Sequence, residues 1–480
     1  MKRTLPMLAA FVAATIIAVR VAQAQSTLTP QQKDQMILEL RSEVRKLEQR
    51  VETLEGLDQR VKVIDQKVEV QQQAEVARQK TAPVIKAGAD GFSISSPEKD
   101  YSFKLGALIQ GDGRFFTSGS DKTPTGSTFF LNRARPIFTG TVAKYYDFNL
   151  TPDFGQGKVT LQDAYINVTY YKEAQLLSGK FKAPFDLERL QSDRDLPLSE
   201  RALTTNLAPN RDIGTELHSD LFDNRLTYQL ALMNGVPNNT ASVDNDFNDG
   251  KDFIGRLFAQ PFKQTEYRWA KGLGFGFAGT YGHERNGTTS IYKTFGQSTW
   301  FSYNTGVTAS GTRYRLAPQA YYYYGPFQLM AEYNSDTHDL NRNVVVTKGA
   351  AHVFVNDYET FTDDGYMALA SYVLTGEDAS YFGVKPAHPF DPRHGAYGAW
   401  EIAARISNIA TDSGQFKLNF VSPTVSARTA TEYAFGVNWY LNNIVKWQLA
   451  YARTFFDLGG PNGIDRPDES VFETQLQVAF

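Results

Sequence analysis

Residues 163–201 read DAYINVTYYKEAQLLSGKFKAPFDLERLQSDRDLPLSER. Ala164, Ile166, Val168 and Tyr170 fall on one face of a period-two strand, and Asp163, Tyr165, Asn167 and Thr169 on the other. A second strand is expected from about 174 to 184, with Lys180 and Lys182 on a common face. A long polar loop at about 185–210 follows, in which Arg189, Arg194 and Arg201 stand among Asp186, Glu188, Asp193, Asp195 and Glu200. Two strands that each bury one face, followed by so long and charged a loop, suit a membrane β-barrel that narrows its own lumen.

The rest of the chain repeats that period. Tyr101, Phe103, Leu105, Ala107 and Ile109 face one way, with Lys104, Gln110, Asp112 and Arg114 opposite. Leu273, Phe275, Phe277 and Tyr281 alternate with small residues, and Tyr433, Phe435, Val437, Trp439 and Leu441 pair across Asn442-Asn443 with Val445, Trp447, Leu449 and Tyr451. Segments begin near 101, 127, 143, 158, 174, 211, 224, 250, 271, 312, 326, 364, 396, 428, 444 and 469. That makes roughly sixteen strands, an even number in the range of outer-membrane barrels. Tight turns fall near Lys144, Tyr171, Asp223, Gly325-Pro326 and Asn442. Long connections fall at 117–126, 185–210, 236–249, 284–311, 338–362, 409–427 and 457–468. One connection, 376–395, is long where a short turn is due: either a folded turn or a slip in register. The chain ends in Phe480, with Phe472, Leu476 and Val478 on one face, as a final strand recognised for outer-membrane insertion would. A soluble sandwich or propeller would need an apolar interior, whereas here the faces opposite the apolar ones are small or charged. The predicted fold class is therefore all-β: a sixteen-stranded antiparallel transmembrane barrel over 101–480, preceded by an α-helical coiled coil.

The first hundred residues differ in kind. Residues 1–24 read as a signal peptide, with Lys2 and Arg3 before an apolar run from Leu5 to Val19 and Ala22-Gln23-Ala24 as the cleavage pattern. An uncleaved anchor is the alternative, for which the apolar run is short. Within 25–80, Ile37, Leu40, Val44, Leu47, Val51 and Leu54 alternate spacings of three and four, and Leu57, Val61, Ile64 and Val68 resume them. That is a coiled-coil seam, with a stammer at Gly56 that predicts local overwinding or a break. Such a stripe calls for two or three strands; the alternative is one amphipathic helix lying on a surface. Residues 81–100, with Pro83, Gly88, Gly91 and Pro97 as breakers, read as a linker.

Composition removes several function classes. There is no Cys, hence no disulfide frame and no thiolate metal site. The formal net charge of -3, which loss of Lys2, Arg3 and Arg20 with a leader would make more negative, argues against nucleic acid as a partner. The six His show no metal-ligand spacing on one element, and no catalytic set stands out, so no cofactor is implied. Asp244, Asp246 and Asp249 read as solvated loop or as ligands of a surface cation. With apolar faces turned to outer-membrane lipid, Arg133 and Arg135 point inward, as do Lys104, Arg114, Lys180, Lys182, Arg313, Arg315, Arg405 and Lys446. Together with Arg189, Arg194 and Arg201 they give a cationic lumen suited to small anions, phosphate or organic acids. Asp163 and Glu401 also face inward, to orient those arginines or to keep binding weak enough for release; each Arg taken singly could equally be a wall salt bridge.

The chain resembles the phosphate-selective porin O and P family over roughly 100–480. The resemblance lies in RARPIFTGTVAKYYDFNLTPDFG, LQDAYINV, LLSGKFKAPFDLERLQSDRDLPLSERAL, RDIGTELHSDLFDNRLTYQLALMNG, GRLFAQPF, TGE and GAWEIAARIS, in that order. It implies a trimer of sixteen-stranded barrels, each with a third loop folded inward as an Arg/Lys-lined constriction, and passive transport without catalysis. By motif, Arg133 and Arg201 match eyelet arginines, and Arg189 falls where the phosphate channels carry a lysine. Asn132 replaces a second arginine, Arg135 a tyrosine, and Gln162 an acid, so phosphate specificity does not carry over. The helical extension resembles a subgroup that includes dicarboxylate-type channels. A general small-solute porin and an envelope tether built on the coil are the alternative readings, with a barrel enzyme whose residues come from separate strands as the third.

Overall fold

The structure, a computed structural model, describes residues 29–88, 91–118, 126–242, 250–348 and 351–480, together with Thr15 and Val19. The expected leader otherwise lies outside these residues, as do Asp244, Asp246 and Asp249. The chain divides into two units, Met1–Ala82 and Pro83–Phe480.

In the first unit, helix α1 (Pro30–Thr81) runs for 52 residues. Its start is capped by Gln32, whose Oε1 accepts the Thr29 backbone N–H at 3.1 Å. The helix is unbroken across Gly56, where the phase slip had allowed a break. One glycine costs a helix about 1 kcal/mol, too little to interrupt so many good helix formers. Ile37, Val44, Leu47, Val51, Leu54, Leu57, Val61, Ile64 and Val68 are exposed along it.

The second unit opens with a hairpin, Val84–Gly88 against Gly91–Ser95, within the stretch read as linker. Besides a short two-stranded hairpin, Ile291–Lys293 against Thr299–Ser302, set in one connection, sixteen barrel strands follow among the described residues. They are β1 (Ser102–Ser118), β2 (Thr128–Val142), β3 (Tyr146–Asp153), β4 (Thr160–Tyr171), β5 (Ala174–Lys182) and β6 (Arg211–Leu221). Next come β7 (Leu226–Met233), β8 (Asp252–Ala259), β9 (Leu273–Gly287), β10 (Val307–Tyr324) and β11 (Phe327–Lys348). Last are β12 (Ala351–Val373), β13 (Ala399–Ala410), β14 (Ala427–Tyr440), β15 (Val445–Leu458) and β16 (Glu469–Ala479). Each pairs antiparallel with the next, and β16 pairs back onto β1 from Ser470↔Ser118 to Ala479↔Leu108, so the sheet closes.

The burial pattern is that of a barrel in lipid. On β14 to β16 the buried side is Glu432, Asn438, Lys446, Gln448, Glu473 and Gln475, while Tyr433, Phe435, Trp447, Tyr451 and Leu476 are exposed. Trp400 stacks on Trp439 at 5.0 Å, and Trp447 lies 6.3 Å from Trp439, close to the tight turns where an interfacial belt belongs.

Two connections differ from expectation or resolve it. The loop expected at 338–362 is instead an extension of β11 and β12, 22 and 23 residues long. Its cross-strand contacts include Arg342 on Asp357, and Tyr358 Oη on Asp339 at 2.7 Å. Polar residues stand on both faces through most of residues 335–343 and 356–364, which obscures the period-two hydrophobic signal. The 376–395 segment is a folded connection, since β13 keeps its antiparallel register with β12 on its far side.

At the seam, Phe480 exchanges backbone hydrogen bonds with Ala107 at 2.9 and 3.0 Å, and its ring meets Phe92 of the hairpin edge-on. A Cβ at Gly106 would lie 2.6 Å from the Phe480 carbonyl oxygen. Gly106→Val is therefore expected to strain closure by about 1–3 kcal/mol. A lower temperature for loss of the compact band in heat-modifiability gels would show it; an unchanged temperature would contradict the seam geometry.

Candidate pore constriction

Residues 183–210, between β5 and β6, fold into the barrel, where each polar backbone group needs a partner other than bulk water. The wall supplies them. Glu332 on β11 accepts from Leu187 N at 2.8 Å and Glu188 N at 3.3 Å, at the start of the short helix Leu187–Leu190. Asp186 accepts from Arg189 N at 2.6 Å and from Asn334 Nδ2 at 2.7 Å. Arg405 on β13 donates to Glu188 at 3.0 Å and to the Glu200 carbonyl at 2.9 Å. Asn438 reaches the Pro197 carbonyl, while Gln448 and Lys446 reach that of Leu196. An apolar layer lies beneath, with Leu187, Leu198 and Ala202 against Met330, Met367, Leu369 and Ala403. From the other end, the 376–395 connection sends in Tyr381, whose Oη donates to Leu187 O at 2.7 Å while its carbonyl accepts from Gln191 Nε2 at 2.8 Å.

The free edge of this loop meets β2. A bulge there, where Gln110 pairs with Arg133 but Gly111 with Leu131, leaves Asn132 as the extra residue. Asn132 and Arg133 consequently both turn inward: Asn132 Nδ2 donates to Asp112 at 2.6 Å and Arg133 Nη1 to Gln110 Oε1 at 2.6 Å. Arg133, Arg135 and Arg201 converge on one carboxylate, Asp193. Arg133 Nε lies 3.5 Å from it, and Arg135 Nη1 and Arg201 Nη1 bond to it directly. Arg135 also holds Asp153 at 2.6 Å. Burial alone would raise the Asp193 carboxyl; the guanidiniums of Arg133, Arg201 and Arg135 overcome this and hold it well below the usual carboxylate range.

Two cavities lie on either side. One, about 160 Å³, is lined by Asn132, Arg133, Gln156, Arg189, Glu200, Arg201, Asn206, Asn239 and Lys293 among others. The second, about 260 Å³, is lined by Arg194, Asp195, Lys385, Asn442 and Lys446 among others, at the end of the tight turns.

Of the residues singled out from sequence, Arg133, Arg135 and Arg201 are thus brought together. Lys182 reaches beneath the loop, donating to Gln191 O at 2.8 Å and Leu190 O at 3.4 Å. Arg189 donates to Thr205 O and to Asn239 Oδ1, and lines the first cavity. Arg194 stands apart, half-exposed beside Asp195. Lys180 is tied to the Ser242 carbonyl at 2.7 Å, away from this cluster.

The acids depart from expectation. Asp163 binds Arg211 through both oxygens at 3.0 and 3.1 Å, and Glu401 accepts from Ser371, Asn438 and Tyr440. Asp193, a loop residue with no periodicity to mark it, does the work assigned to them. The wall cations are mostly matched by carboxylates: Arg114 by Glu200 and Glu473, Arg313 by Asp336 and Glu284, Arg315 by Asp252, Arg405 by Glu188 and Glu432. Lys104 is exposed where β1 pairs with the hairpin. Lys293 and Asn239, which sequence reading missed, join the site from separate outer loops.

A closed sixteen-stranded barrel with an inward third loop and a charged lumen defines an outer-membrane porin. Residues 103–480 match phosphate-selective porin O and P, and the chain belongs to that family. It is 26% identical over 434 residues to Porin O of Pseudomonas aeruginosa, covering 83% of this chain and 93% of that protein. The outer membrane channel DcaP of Acinetobacter baumannii has the same fold, with a TM-score of 0.50 and 11% identity over 79% of this chain and 97% of the other.

Arg405→Ala would leave Glu188 and Glu432 buried without their cation. A loss of about 3–5 kcal/mol is expected, because each carboxylate keeps its desolvation cost. A lower unfolding temperature together with a noisier and larger single-channel current would register the loosened loop.

Proposed function

We propose that the chain passes small anions passively through the space between loop 183–210 and β2, with Arg133, Arg189 and Arg201 selecting for charge. The observation that carries this reading is the first cavity, where those three arginines and Lys293 face Glu200 as the one acid of its lining. Guanidinium forks bind phosphate and carboxylate oxygens and offset the cost of stripping water from them. The kinship with Porin O supports phosphate as one such solute; organic acids such as dicarboxylates are the alternative cargo. The functional unit on this reading is a homotrimer in the bacterial outer membrane. The test is the reversal potential in a salt gradient, with phosphate and succinate as blockers. Anion preference is expected, and Arg133→Ala and Arg201→Ala should each weaken block several-fold. Cation preference in the wild type would sink the reading.

The exposed apolar stripe of α1 favours a second role. On this proposal helices from the copies of a trimer bury that stripe as a periplasmic coiled coil, and its roughly 75 Å length supports an envelope tether. Deleting residues 25–80 should leave conductance unchanged while weakening the envelope; altered ion selectivity would speak against a separate tether.

A further inference from the structure

We propose that Asp193 is a tethered occupant of the anion site: a carboxylate carried by the loop itself that fills the arginine cage and competes with permeating carboxylates. The proposal builds on the anion-porin reading and adds the ligand class and the residue that tunes affinity.

The coordination carries the argument. Asp193 Oδ1 takes Arg201 Nη1, while Oδ2 takes Arg135 Nη1 and lies 3.5 Å from Arg133 Nε. Three guanidiniums around two coplanar oxygens is the set a free carboxylate would receive. The cage is also held without its occupant. Arg133 keeps Gln110 Oε1 at 2.6 Å, Arg135 keeps Asp153 at 2.6 Å, and Arg201 keeps the carbonyls of Glu188 at 3.2 Å and Gln191 at 2.8 Å. Removing the Asp193 carboxylate therefore leaves the donors aimed at the same point, with one more unit of positive charge. Arg133 and Arg201 also line the first cavity, so a solute in it reaches the same guanidiniums. A pore conducts only if its site releases what it binds. A tethered carboxylate gives that release, since the permeating anion has to share guanidiniums that already have a partner.

Acetate is the Asp193 side chain cut from its tether, and it is the probe. Chloride current through the full-length protein in planar bilayers is titrated with acetate for the wild type, Asp193→Ala and Asp193→Asn. Asp193→Ala should be blocked at an acetate concentration at least tenfold lower than the wild type requires. Asp193→Asn, whose amide fills the space without the charge, should shift the reversal potential toward anions. Equal acetate block in the wild type and Asp193→Ala would overturn the proposal and leave Asp193 as a strut. Should Asp193→Ala fail to give a heat-modifiable barrel, an unshifted reversal potential in Asp193→Asn overturns it equally. Cation preference in the wild type would defeat the porin's anion reading by itself, whereas the comparison among the three proteins reads the cage alone.

Discussion

A segment of 28 residues with no sheet of its own has to live inside a tube of polar side chains, and every amide it carries needs a partner there. The interior wall of β10 to β15 answers that requirement residue by residue. Glu332 caps the short helix, Asn334 holds its N-cap Asp186, Arg405 ties the Glu188 carboxylate and the Glu200 carbonyl to the barrel, and Lys446 and Gln448 collect loop carbonyls. The wall on that side is spent on holding the loop, the first cavity lies against β2, and the bulge at Asn132 turns two consecutive side chains toward it.

The same balance explains the charge pattern. A lumen full of unopposed guanidiniums would hold its anions too tightly to conduct, and the self-repulsion would weaken the barrel. Instead Arg313, Arg315 and Arg405 are neutralised within the wall, and the surplus of positive charge is confined to the cavity lined by Arg133, Arg189, Arg201 and Lys293. Even there, Asp193 engages two of the cavity's guanidiniums, Arg133 and Arg201, together with Arg135. On the proposed anion reading, selectivity comes from how few cations are left over.

Both ends of the barrel contribute to the loop's position. Outer connections deliver Lys293 and Asn239 to the cavity, while the 376–395 connection brings Tyr381 up beneath Leu187. That segment, too long for a simple turn, is a second support for the constriction.

The strand count, the alternation, the sites of nearly all the turns and the inward loop were legible in the sequence, because lipid on one side and water on the other impose period two on each wall segment. Arg133 and Arg201 were legible too, through the family's motifs. The extension of β11 and β12 was not, since polar residues such as Asp336, His338 and Asp363 occupy its buried face as well and hide the apolar period. Nor was the pairing of charges. Which acid meets which arginine depends on bringing Asp193, β2 and β3 to one point, and Asp163 was lost to Arg211 only because β4 and β6 lie either side of β5. Sequence by itself determined the barrel and its surplus of lumen cations; tertiary structure alone decided which of them remain to meet a solute, because Coulombic pairing follows distance in space and not position along the chain.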